Sequence, residues 1–454
     1  MARIRLAKHL CWSAVLWPVN ASAHVSERAI VLLLPTDVYR IVGVGAVVAT
    51  ILLTLLLPRR VAKCVPPRAW RPKAPQSGIG AILGFLLFAT LIAFGLWGTH
   101  NSLANLLPLT LFSLWWLAGL VMAAVIGDFW RFFNPWAAPV AWVFRNPPKP
   151  LPDWVGYWPA LPSYFVFAVY YLSDIAPTDP DHLARVTLVY WAVHFLLAGR
   201  YGNLWLARGE GFGVLFSLVG RLSPIRWHAA RLRLPGSGLV LSGKVPKSLG
   251  LFTLLFLATG SFDGLNETFW WMARIGINPL DFPGRSAVIW QNRIGLALVF
   301  FALIGAFTLT VWLGLALAGA SDRLGEIWAK MALTLLPIAT AYHFAHYLPS
   351  LMVSLQYWIL ALNDPLDNGA HWLGLDWQVS TGFLNYHASV RAIWLSQATA
   401  IVVGHMLSVL LAHIVALNLF KVHLRALISQ VFVVLFMVFY TWLGLWLLAS
   451  PTAL

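Results

Sequence analysis

The chain has 454 residues, 60% of them hydrophobic and only 10% charged, with a net charge of +15. A soluble protein carries roughly 25% charged residues, so this composition, with a mean hydropathy of +0.75, excludes a water-soluble globule. Two cysteines, Cys11 and Cys64, exclude a disulfide framework and a cysteine-rich metal centre.

The chain opens with a basic stretch (Arg3, Arg5, Lys8), a short apolar core "LCWSAVLW" and the small-residue segment "NASAH". That pattern predicts a cleavable signal peptide over residues 1–23, which makes His24 the first residue of a single mature domain, 24–454. Apolar runs near the length of about 20 residues that crosses a bilayer follow at 38–57, 79–98, 105–127, 158–174, 182–199, 248–262, 292–319, 331–349, 391–419 and 425–449. The fold class expected is an all-α integral membrane protein, a polytopic bundle of about ten transmembrane helices. No segment shows the alternating pattern, about ten residues long, of an outer-membrane barrel. The 25 tryptophans suit interfacial belts.

The loops give an orientation. "PRRVAKCVPPRAWRPK" follows the first span, and the loop after the fifth holds Arg200, Arg208, Arg221, Arg226, Arg231, Arg233, Lys244 and Lys247. "SDIAPTDPDH" and "NDPLDNGAHWLGLDW" instead carry six aspartates and no Lys or Arg. The positive-inside bias puts the basic loops in the cytoplasm of a bacterial inner membrane and both mature termini on the periplasmic side. The positive charge therefore reports orientation, and nucleic-acid binding is not needed to explain it. Two stretches are not simple spans: "GDFWRFFNPWAAPVAWVFR" (127–145) reads as interfacial or re-entrant, and "ARGEGFGVLFSLVGRLSPIRW" (207–227) is glycine-rich with an apolar middle. No internal repeat of the kind that builds two-halved transporters is visible.

Polar residues in apolar runs are the functional candidates. In "AYHFAHYLPS", His343 and His346 are three residues apart, on one face of the eighth span and in its outer third. Pro337 below them is expected to free backbone carbonyls. His405 of "VVGHMLS" falls near mid-membrane in the ninth span, with Gly404 allowing close helix approach. Asp263 closes the sixth span in "ATGSFDGLNET". His343, His346, His405 and Asp263 are the expected set for a divalent zinc, copper or iron ion, with Asp263 as fourth ligand or proton acceptor. His194 and His413 read as structural. His24 offers an amine and an imidazole to a second kind of site, a copper chelate completed by His371 or His387.

Taken in order, "AHVSER…VLLLPTDVY", "GDFWRFFNPW", "GFGVLFSLVGRLSP", "GSFDGLNET", "LLPIATAYHFAHYL" and "IVVGHMLSVLLAH" resemble the bacterial membrane proteins named fenitrothion hydrolases. The resemblance runs over nearly the whole chain after the signal peptide. It implies hydrolysis of an aryl phosphotriester or thiophosphotriester to a nitrophenol and a dialkyl (thio)phosphate. It transfers no catalytic residue set. A bound metal would supply hydroxide and polarise the P=O or P=S group, and the apolar substrate would arrive from the bilayer. Two other readings stay open: a membrane metal-handling protein for copper, and a transporter or structural subunit working with a partner membrane chain.

Overall fold

A computed structural model describes residues 36–56, 62, 64–226, 231–281 and 284–450. The expected signal peptide and His24 lie outside those residues. The helices are α1 (Thr36–Leu55), α2 (Ile79–Trp97), α3 (Leu106–Ile126), α4 (Ala137–Val143), α5 (Ala160–Ser173), α6 (Pro180–Tyr201), α7 (Asn203–Arg208) and α8 (Gly211–Val219). They continue as α9 (Lys247–Asn266), α10 (Phe269–Arg274), α11 (Ile289–Leu317), α12 (Leu324–Leu333), α13 (Leu336–Asn363), α14 (His387–Leu419) and α15 (His423–Ala449). Among the described residues, strands are confined to two-residue pairings: Arg68–Ala69 with Leu241–Ser242 in parallel, and Ile225–Arg226 with Arg231–Leu232 antiparallel. The protein is a multi-pass helical bundle in a lipid bilayer.

Nine helical stretches among the described residues are long and apolar enough to cross a membrane, against the ten expected. The difference is the fourth run, 158–174, which folds as the 14-residue α5. At about 1.5 Å per residue, that is about 21 Å, short of the roughly 30 Å hydrocarbon core. The eighth run also departs from expectation. Its helix breaks after α12 and restarts as α13, which continues through Pro349 to Asn363. His343 and His346 therefore sit in the middle of a 43-residue helical run, not at its outer end. Pro337 stands in the first turn of α13, where its missing N–H is not needed. It is Pro349, inside the helix, that removes a hydrogen bond to the carbonyl four residues back. That carbonyl, Ala345 O, accepts from Gln397 Nε2 of α14 at 2.6 Å, so a side chain on the neighbouring helix repairs the break. Gly404 of α14 does permit the close approach expected of it: a Cβ there would lie 2.9 Å from Pro337 O.

α9 is the axis of the bundle. In its apolar window 83% of residues are buried, against 17% in α1 and α2, which face outward. A helix so enclosed has to satisfy its own polar side chains. Thr253, Thr259 and Ser261 do so by donating back to Leu249 O, Leu255 O and Leu257 O at 3.1, 2.9 and 2.8 Å. Loops gather at two ends. At one end, rich in Arg and Lys, Asn203 Nδ2 donates to Pro75 O, Lys149 N to Arg200 O and Arg323 Nη1 to Leu419 O. At the other, Thr99 Oγ1 donates to Asp367 and Arg285 Nη2 to Tyr171 O. We call these the basic and the acidic face.

The glycine-rich segment becomes a re-entrant hairpin. α7 leaves the basic face after Gly202, the chain turns at Gly209–Glu210, and α8 returns to Gly220, which packs on the backbone of Asp128. Its tip contacts Tyr190, midway along α6, and Ser163, in the first turn of α5. Gly211 lets the turn press on α5, since a Cβ there would lie 2.8 Å from Tyr164 N. The aromatic stretch at 127–145 forms turns and the seven-residue α4 on the basic side of the bundle.

Candidate functional site

Two clusters of buried polar side chains are each centred on a carboxylate. The first is where α9, α13, α5 and α3 meet. Asp263, near the end of α9, is 4% exposed. Its Oδ2 accepts from Tyr347 Oη and from His346 Nε2, the latter at 3.1 Å. Glu267, just past the end of α9, acts electrostatically on both Asp263 and His346. With Nε2 held by the carboxylate, Nδ1 is the free acceptor of the His346 ring. The imidazole side chain remains 20% exposed. Tyr342 stacks on the His346 ring with centroids 5.8 Å apart.

His343 turns elsewhere. A spacing of three residues leaves about 60° between two side chains around a helix, and here that angle separates their partners. The His343 ring packs edge-on against Trp116 of α3, centroids 5.1 Å apart, and its Nε2–H donates to Trp116 O at 3.3 Å. Trp116 belongs to Leu109–Ala118, the π-helical middle of α3. Such wide turns are rare and recur at functional sites. His405 is separate again. Its Nδ1–H donates to Ile401 O at 2.8 Å, its Nε2 is buried without a hydrogen-bond partner, and the residue lines a small void with Ser261, Tyr342 and Tyr440.

The four residues expected to share an ion are thus divided among three neighbourhoods; only Asp263 and His346 are brought together. Among the described residues no group of three or more His, Cys, Asp or Glu is close enough to hold a metal. His371 pairs with Asn363 Nδ2 at 3.2 Å, and His387 is exposed at the start of α14. Sequence reading missed Tyr347, which completes the Asp263 cluster. The available signal was its place in "AYHFAHYLPS", beside His346 and one turn from His343.

The second place is the tip of the re-entrant hairpin. Glu210, fully buried, caps α8: its carboxylate accepts from Phe212 N–H at 2.8 Å, Gly213 N–H at 2.5 Å and Tyr190 Oη. Tyr190 Oη lies 2.9 Å from Ser163 Oγ, and Ser163 Oγ lies 3.1 Å from His194 Nε2. Trp205 Nε1–H donates to His194 Nδ1 at 3.0 Å. An indole N–H can only donate, so Nδ1 carries no proton and Nε2–H donates to Ser163. Ser163 Oγ also accepts from Gly211 N–H at 2.9 Å, and its own proton goes to Tyr190. Every donor along Trp205, His194, Ser163 and Tyr190 points toward Glu210. The serine–histidine contact is therefore not a nucleophile with its base, because this imidazole donates to the hydroxyl.

The sequence matches no known family, no curated protein and no solved structure. The resemblance drawn from the motifs rests on those motifs alone.

Proposed function

We propose that the protein is a membrane-embedded hydrolase that cleaves an apolar aryl phosphotriester or thiophosphotriester, with His346 as general base and Asp263 as the group that orients it. One observation carries this reading: a buried carboxylate holds one ring nitrogen of a partly exposed histidine and leaves the other as an acceptor. That is the base-plus-orienter arrangement of acid–base catalysis. His346 Nδ1 takes a proton from water, the hydroxide oxygen forms a bond to phosphorus, and the bond to the aryl oxygen breaks. The products are a dialkyl (thio)phosphate and a phenol, which receives the proton. Asp263 stabilises the imidazolium that exists between the two proton transfers. The aromatic wall of Trp116, Tyr171, Tyr342 and Tyr347 suits an apolar substrate delivered from the bilayer.

Water activation is assigned to His346 because its ring is partly exposed and held by a carboxylate, whereas His343 and His405 are buried and turned to backbone carbonyls, Trp116 O of α3 and Ile401 O of His405's own helix. The bias of Lys and Arg supports an inner-membrane location with the basic face in the cytoplasm and the C-terminus in the periplasm.

The test is nitrophenol release from a nitrophenyl dialkyl thiophosphate by detergent-purified protein, measured together with metal content. His346→Gln is expected to lower kcat about 10²–10⁴-fold, and Asp263→Asn to lower it less. Full turnover in His346→Gln would sink the reading. A stoichiometric copper or zinc content lost in His343→Ala, with no ester cleavage, would move the protein to metal handling.

A further inference from the structure

A cavity of about 1430 Å³ opens between α2, α3, α5 and α6. It exceeds the roughly 300–1,000 Å³ of a drug-sized ligand pocket. Its wall on α6 runs from His182 to Leu197, about 22 Å of helix, most of the roughly 30 Å hydrocarbon core. Leu87, Phe88, Leu114, Val189 and Val193 line it, and Val189 is 65% exposed, so the cavity is a cleft open sideways. One aromatic layer, Phe167 backed by Trp116 and Tyr171, separates it from His343 and Tyr347. It is therefore distinct from the His346 site.

The two ends of the cleft differ in charge. At the acidic face, His182 pairs with Asp174 at 3.1 Å and Arg185 with Asp181 at 2.8 Å, so the cations there have carboxylate partners. At the basic face, Phe129, Trp130, Phe133 and Trp136 floor the cleft. The backbone of Phe132 and Phe133 presses on Gly80 and Gly84 of α2, which brings the segment before α2 alongside. Lys73, on that segment, faces Arg131, Arg221 and Arg233 and a single carboxylate, Asp128. Asp128 accepts from Arg131 N–H at 3.4 Å. Arg131 stacks on Phe132 at 4.4 Å and its Nε is buried without a hydrogen-bond partner, whereas Arg221 stacks on Trp70 at 3.8 Å and also donates to Gly238 O and Arg71 O. Burial, and then the charges of Arg131 and Arg221, hold the Lys73 amine below its usual value. The cluster lacks negative charge.

We propose that the cleft holds an anionic phospholipid, with an acyl chain along α6 and its phosphate on Lys73 and Arg131 at the basic face. The apolar length calls for a long chain rather than a compact ligand, and the unbalanced cations select an anionic head group.

The full chain would be reconstituted in bilayers of equimolar phosphatidylglycerol and phosphatidylcholine, re-extracted in mild detergent, and its retained lipid measured by mass spectrometry. Phosphatidylglycerol is expected in excess. The double variant Lys73→Gln/Arg131→Gln should retain it about tenfold less or lower, and Asp128→Asn, which removes the competing charge, should retain more. Val189→Trp, which fills the cleft while leaving the cations in place, should also lose it. Equal retention of the two lipids overturns the proposal. So does selectivity that survives Val189→Trp in a protein of unchanged thermal midpoint, since the lipid would then be held at the surface alone.

Discussion

Two buried carboxylates, Glu210 and Asp263, sit in similarly apolar surroundings and are hydrogen-bonded in opposite ways. Glu210 meets two backbone N–H groups and a tyrosine, and the chain of donors behind it runs back to Trp205 with each intervening hydroxyl and ring nitrogen engaged. Asp263 meets a tyrosine and a histidine whose second nitrogen remains an acceptor. A closed network of this kind fixes a turn of backbone at membrane depth, where irregular structure needs cover from protein. A network with one open acceptor can take a proton. The contrast is one of hydrogen-bonding capacity: two carboxylates of similar burial differ in whether an acceptor is left over behind them, and the proposed role of His346 rests on that difference.

The contrast can be broken from either side. Glu210→Ala should remove the hairpin's anchor and leave three donors unpaired at about 1–3 kcal/mol each, read as a fall in the denaturation midpoint in detergent and in folded yield. His346→Gln should show the converse, a turnover at least about 10²-fold lower with the midpoint nearly unchanged. Gln397→Ala leaves the carbonyl freed by Pro349 without its partner, and a loss of about 1–3 kcal/mol is expected. Trp205→Phe takes one hydrogen bond from His194 and should cost about 1 kcal/mol, far less than Glu210→Ala; an equal loss would mean that the network acts as one unit.

A smaller effect concerns pH. Burial, partly opposed by the Arg131 N–H and the Arg131 and Lys73 charges, pushes the Asp128 carboxyl up from 3.8 to about 6. The folded state then binds this proton more tightly than the unfolded chain, so stability should fall as pH rises from about 4 to 6. Asp128→Asn should flatten that slope, by about 1 kcal/mol once the partly exposed side chain is allowed for. Denaturation midpoints across this pH range would check it.

The class of fold was legible because hydrocarbon length and apolar composition are coupled directly: eight of the long helices fall close to the runs read from sequence, and α5 failed only on length. The glycine-rich segment was recognisable as something other than a span, since Gly209, Gly211 and Gly213 crowd a stretch that a plain helix would fill with larger residues. The site was legible in part. Asp263 and His346 could be named because charge in an apolar run is costly, but neither their pairing nor the separate orientations of His343 and His405 could be read. Those depend on which helix each side chain faces, and a helical spacing of three fixes an angle on one helix without identifying its neighbour. The role of Pro349 was hidden for the same reason, because its compensating partner, Gln397, lies on another helix.

The re-entrant hairpin has a consequence for assembly of the chain. Its helices α7 and α8 are six and nine residues long, too short for a translocating pore to release either as an independent span. Its buried glutamate finds a side-chain partner, Tyr190, only on α6, and Gly211 N–H beside it finds Ser163 only on α5. The order of events is then imposed: those two helices must already stand in the bilayer before the segment that follows them can slip in beside them from the basic face. Insertion there therefore ends with a docking step, the hairpin closing against helices already in place.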